Sequence, residues 1–368
     1  MKNLNKNMYK ELTKKRIKKS QIGFNKNVIY WNALGYFFEW LYLTITLKIA
    51  LFITLIFLRG MPKVFKKTSS NEKEKKKVLI NKTVKIVHLK ITSIDFSLIW
   101  NSPTLNIFLS FIPSIYLVIY FNTLAAYIFT WFGFSYQNQS NFINTFSLVL
   151  SNIFSIKSDV LFPASNTGLA TSADVIKFLI VILSFLYFSS NGYGKLIYSS
   201  NYLFEHKRLG TYWGNKLKGI WVSLGTTLLL FAFTFLYTIV IQKLKINAEI
   251  FNQESINWES FLFYSLFSLM FLFCMLLLWF KYLVSFKIKI KHLWRGLLLS
   301  LIPIFLLNIS YHFISEIFLK KDNYSGVLNL LVIVGLYVGL IVYFFFIGLI
   351  FNVAYYRVFV GNRTYSRF

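Results

Sequence analysis

Residues 217–242, LKGIWVSLGTTLLLFAFTFLYTIVIQ, decide the fold. Between Lys218 and Lys243 the chain carries no charge. A hydrocarbon core about 30 Å thick needs about 20 apolar residues of helix to cross it, and this segment has that length. Outward from it, five more segments of the same kind lie at about 105–131, 173–194, 259–286, 294–318 and 327–356. The sequence is that of a polytopic membrane protein.

The basic residues alternate between connections. The one after 173–194 holds Lys195, Lys207, Arg208, Lys216 and Lys218. The one around 281–295 holds Lys281, Lys287, Lys289, Lys291 and Arg295, and the tail carries Arg357, Arg363 and Arg367. The other connections are poorer, with only Lys157 in 132–172, Lys243 and Lys245 in the next, and Lys320 and Lys321 in the last. Cytoplasmic loops carry the excess of Lys and Arg, so the expected topology is six crossings with both termini cytoplasmic. Trp131, Trp213, Trp221, Trp258, Trp279 and Trp294 fall near span ends, where an indole meets both hydrocarbon and a hydrogen-bond partner.

Residues 41–58, LYLTITLKIALFITLIFL, are also long enough to cross, but basic clusters lie on both sides: Lys14 to Lys19 before, Lys63 to Lys77 after. A single crossing would leave one cluster outside. With Lys48 and Glu39 in or beside it, the segment is expected to lie along the interface as a helix of about 35–60. Residues 63–90 are expected to form a solvated basic linker, each charge attracting anionic headgroups by about 1 kcal/mol near the surface. The expected organisation is thus an all-α bundle: a basic region 1–92 with the interfacial helix, a six-span domain 93–357, and a short basic tail 358–368.

The net charge of +27 suggests nucleic acid, but Phe65 is the only aromatic residue in the basic run 63–77, too little for base stacking. The Lys-, Asn-, Ile- and Phe-rich composition is that of an AT-rich genome, and positive charge belongs on a cytoplasmic face. Membrane lipids, with anionic headgroups at the basic face, are the expected partners, and nucleic acid is not. The single cysteine, Cys274, excludes an intramolecular disulfide and a cysteine metal site. The amino terminus lacks the short apolar core and small-residue cleavage site of a signal peptide.

Little points to catalysis. There is no phosphate loop, dinucleotide fingerprint or zinc-ligand spacing, so neither an enzyme nor a cofactor is expected. His312 and Glu316 stand i,i+4 on one helix face, the weak beginnings of a metal site; an interfacial hydrogen-bonded pair is the plainer reading. Polar residues within spans are more informative, because each is costly unless partnered or lining a cavity. Ser189, Ser190, Asn191 and Gly192 form the densest group, followed by Lys195 and Asn201. Ser110 and Pro113 interrupt the first span, where the proline should kink the helix; Asn308 and Asn352 lie in the last two. Such residues either hold helices together or line a cytoplasm-facing cavity.

These residues, in this order, resemble the YihY/BrkB-like family of six-span bacterial membrane proteins, over about 93–357. Ser110 and Pro113 resemble its Ser-x-x-Pro; Ser190, Gly192 and Asn201 resemble its second-span pattern, with Lys216 as the basic residue that follows. Gly296 fits the glycine opening the fifth span, Tyr324 and Gly326 the Tyr-Gly loop, and Gly348 and Asn352 the closing Gly-x-x-x-Asn. Arg295 stands where the family usually has proline, Ser325 separates Tyr324 from Gly326, and Ile350 replaces an acidic residue. With its composition the chain looks like a mollicute-type member. The resemblance implies a multi-pass plasma-membrane protein, once mislabelled ribonuclease BN, associated with export or lipid handling. The leading expectation is a transporter or lipid-translocating protein. The alternatives are a scaffold recruiting partners through its basic amino terminus and a membrane-bound hydrolase or nuclease.

Overall fold

The computed structural model describes residues 26–59, 71–131, 142–146, 148–149, 172–205, 209–246, 257–285, 288–319 and 326–360. The chain divides into two compact units, Met1–Thr92 and Ser93–Phe368.

In the first unit, α1 (Lys26–Arg59) and α2 (Asn71–Ile91) form an antiparallel pair. Tyr42 Oη donates to Ile91 O at 3.4 Å, and Thr46 Oγ1 meets His88 Nδ1 at 3.4 Å. Ala50 and Thr54 of α1 are buried, as are Thr83, Val84 and Val87 of α2. The expectation of a solvated linker is therefore corrected from Asn71 onward. Thr83, Val84 and Val87 supply the i, i+3/i+4 stripe that lets a lysine-rich segment be a helix, while Lys82 and Lys85 stay exposed on its other side.

In the second unit, six helices carry the chain: α3 (Ile94–Trp131), α4 (Ser172–Leu203), α5 (Tyr212–Leu244), α6 (Trp258–Tyr282), α7 (Ile290–Leu319) and α8 (Gly326–Tyr355), the last running into a π-helical turn, Tyr356–Val360. Each packs on the next, and α8 returns to α3, closing a ring. The second half of α8 is the most deeply buried part, with Val342, Phe345, Phe346, Leu349, Ile350 and Phe351 fully enclosed. A helix apolar on every side is read as the core of a large protein or as a membrane span. The helix α3 runs unbroken through Pro103 and Pro113; beside the second proline, Ser110 Oγ and Ser114 Oγ turn back onto Ile107 O (2.8 Å) and Ser110 O (2.7 Å).

Seven described helices, α1 included over Gly35–Ile56, have the length and hydropathy to cross a membrane, one more than the six expected. Trp213, Trp221, Trp258 and Trp294 are exposed at helix ends. Trp279 is not: it is 3% exposed and its Nε1–H donates to Thr226 Oγ1 at 3.1 Å. The expectation that it anchors an interface is corrected, because its partner lies within the bundle.

The ring closes through glycines. A Cβ added at Gly219 of α5 would stand 2.7 Å from the backbone nitrogen of Gly194 in α4, whereas at Gly225, on the same helix, the nearest atom would be a leucine methyl at 3.4 Å. Backbone cannot move aside as a side-chain end can. Gly219→Ala is expected to destabilise by about 1–3 kcal/mol, and Gly225→Ala by less than about 0.5 kcal/mol, read from thermal unfolding of the purified protein in detergent.

Candidate functional site

Several residues singled out in the sequence make close helix–helix contacts at one end of the ring. Gly192 lets α4 approach α3, since a Cβ there would lie 3.0 Å from backbone atoms of Asn106 and Ile107; Gly194, two residues on, faces α5. Asn201 is fully buried. Its Oδ1 accepts from the Ser285 amide at 3.0 Å and its Nδ2 donates to Ser285 Oγ at 2.8 Å. The Lys218 ammonium donates to Val284 O (3.1 Å) and Ser285 Oγ (3.3 Å). The end of α4, the start of α5 and the α6–α7 connection are thereby joined. Lys216 lies over the Tyr212 ring at 4.4 Å. Ser190 Oγ bonds back to Tyr187 O at 2.9 Å, and Ser189 is buried with its hydroxyl unpartnered. Asn191 is half-buried and Lys195 exposed, so this pair faces outward.

A second seam joins α7 to α8. A Cβ at Gly296 would collide with Gly348 O, and one at Gly348 with Ser300 Oγ. Across this contact Asn352 Oδ1 accepts from the Gly296 amide at 3.0 Å, and its Nδ2 donates to Leu293 O at 3.1 Å. One buried amide thus satisfies a donor and an acceptor of the opposite helix.

Next to the seams, inside the ring, lies a cavity of about 150 Å³. Ser110 and Ser114 of α3 reach it; of the polar residues singled out within the spans, Ser110 and Asn308 do so. Its wall on α5 is Thr226, Thr227, Leu230, Phe233, Thr234 and Tyr237, one face of a helix. Opposite, Asn308 Nδ2 donates to Tyr264 Oη at 3.1 Å, while Tyr337 Oη donates to Asn308 Oδ1 at 2.8 Å. The rings of Tyr311 and Tyr337 stack at 4.6 Å. The Tyr237 hydroxyl is buried without a partner. Tyr193 and Trp279, edge to face at 5.8 Å, form the end nearest the glycines. Among the described residues, no Asp, Glu, Lys, Arg or His lines the space. The α5 threonines and tyrosine were already present in the stretch 217–242; Thr227, Thr234 and Tyr237, seven and three residues apart, fall on one helix face, and that is the signal that marks them.

Arg295 is 4% exposed, the one charged side chain in the core among the described residues. Its guanidinium lies 4.2 Å from the Tyr355 ring and 5.4 Å from the Trp294 ring, and Nε and Nη1 have no hydrogen-bond partner. Desolvating such a cation costs several kcal/mol, and a cation–π contact returns about 2 kcal/mol when desolvated. The rings leave it undercompensated. Arg357, nearby in sequence to Tyr355, has its own partner in Glu205 at 2.8 Å.

The side chains of His312 and Glu316 lie outside the described residues, as do Tyr324 and Ser325. Among the described residues, no group of three or more His, Cys, Asp or Glu is placed to hold a metal. Cys274, on α6, is a free thiol, half-buried.

The long apolar helices, closed ring and internal cavity define a polytopic helical membrane protein. The sequence model of the family described as Virulence factor BrkB matches residues 87–367, and the chain belongs to that family. No curated protein and no solved structure matches it.

Replacing Asn352 by Leu removes both of its hydrogen bonds to α7, leaving the Gly296 amide and the Leu293 carbonyl only their partners within the helix. The expected loss is about 1–3 kcal/mol of stability, measured by thermal unfolding.

Proposed function

We propose that the protein is a membrane transporter whose cargo is a lipid-like amphiphile without net charge, held in the cavity within the ring. The carrying observation is the lining itself: aromatic rings and hydroxyls from six helices, with no ionised side chain among the described residues. Such a wall favours apolar matter and a few neutral hydrogen-bonding groups, and offers no counter-charge to an ion. Its hydroxyls satisfy one another in part and leave Tyr237 free to accept or donate. No chemical step is assigned to the site.

The same reading has six spans with both termini in the cytoplasm and α1–α2 as a hairpin along the interface. The lysines of α2 support it. The pairing of Tyr42 with Ile91 and Thr46 with His88 brings exposed Lys82 and Lys85 level with the middle of α1. Were α1 to cross the bilayer, those lysines would sit near its centre, at about 2.5–3.5 kcal/mol each. At the interface they meet water and headgroups. The expected test result, in a Cys274→Ser background in intact cells, is that Asn25→Cys and Ser69→Cys label from the same side of the membrane. Labelling from opposite sides would mean that α1 crosses.

Thr234→Trp fills the cavity from α5, while Thr234→Val keeps its shape. In liposomes carrying a short-chain fluorescent phosphatidylcholine, with outer-leaflet label destroyed by dithionite, wild type and Thr234→Val are expected to move the lipid. Thr234→Trp should fall about tenfold or more towards the protein-free rate. Equal rates for Thr234→Trp and wild type would remove the cavity from the path.

A further inference from the structure

We infer that Arg295 is the centre of a phosphate-binding site, separate from the cavity and independent of the transport reading. The guanidinium presents five N–H donors in a planar fork, matched to an oxyanion with several oxygens. Here it is enclosed, lies over the Tyr355 ring, and has no hydrogen bond on Nε or Nη1 and no ion pair among the described residues. Its contacts with the Tyr355 and Trp294 rings offer Nε and Nη1 no acceptor.

The surroundings favour an anion. Arg295 lies in the second turn of α7, whose amino-terminal end carries the positive side of the helix dipole. Lys289, exposed, precedes that helix and Lys291 is in its first turn. Glu205 is bound to Arg357 at 2.8 Å. The Gly296 amide is already taken by Asn352, so the site has its orientation set by a seam that does not itself compete for the ligand. Trp294, 43% exposed and 5.4 Å from the guanidinium, is the side chain whose rotation admits it. A phospholipid headgroup and inorganic phosphate present the same oxygens to this fork.

The test is thermal unfolding of the full chain in phosphate-free neutral detergent, titrated separately with inorganic phosphate and with phosphatidylglycerol. Wild type is expected to gain about 2–4 °C at saturation. Arg295→Met, which keeps the length of the side chain without its charge, is expected to start at a higher midpoint than wild type and to respond to neither. Lys243→Gln, which alters surface charge at the far end of α5, should respond as wild type does. A wild-type shift with both probes identifies a general phosphate site, and a shift with the lipid alone identifies a headgroup site; either supports the inference when Arg295→Met abolishes it. Absence of any wild-type shift overturns it, as does an equal shift in Arg295→Met. Should Arg295→Met not fold, Arg295→Lys decides: its point charge lacks the fork, so binding about tenfold weaker supports the site, and unchanged binding overturns it.

Discussion

Hydrocarbon gives helices no hydrophobic reason to associate, so a bundle in a membrane depends on backbones coming close enough for dispersion and polar contacts to act. In this chain that approach occurs at glycines: Gly192 against α3, Gly194 against Gly219, and Gly296 against Gly348. Each contact sits beside an asparagine that ties off polar groups of another segment, Asn201 on Ser285 and Asn352 on Gly296 and Leu293. Since unpaired polar groups have no water to turn to at such depth, these amides set the register of the seams as well as closing them.

From that constraint the rest of the architecture follows. Where glycines bring the helices together, the ring is closed and filled, and α8 is buried on all sides. Farther along the same helices, large residues replace the glycines, and threonine and tyrosine side chains meet across an open space. Tyr193 marks the change of tier. It lies between Gly192 and Gly194, and its ring meets Trp279 as the first wall of the cavity. The two tiers also divide the electrostatics: Arg295 and Lys218 are held at the glycine end, whereas the cavity is lined, among the described residues, by uncharged side chains.

The spans were legible because hydrocarbon thickness imposes a length that apolar runs such as 217–242 either meet or do not. The family was legible from the order of Ser110, Gly192, Asn201, Gly296 and Asn352. What these residues do was less so. A buried asparagine looks the same in a sequence whether it lines a cavity, as Asn308 does, or staples two helices, as Asn201 and Asn352 do; the difference lies in which backbone comes opposite. Thr226, Thr234 and Tyr237 were overlooked because hydroxyl residues are unremarkable in apolar helices, and only the face they share sets them apart. Trp279 looked like an interfacial anchor by position, but a hydroxyl within the bundle, Thr226, supplied the partner that its indole otherwise finds at the interface. The charge of 71–91 concealed a helix, since the few apolar residues that build its buried stripe are outnumbered by lysines.

The central claim is that the glycine and asparagine tier is structural and that the hydroxyl-lined space beside it holds cargo. A density map of the protein in lipid nanodiscs tests this most directly. The account predicts non-protein density between Thr234 and Tyr337, with Asn201 and Asn352 bonded only to protein. Side chains closed over an empty centre, with lipid instead against Asn201 and Asn352, would contradict it.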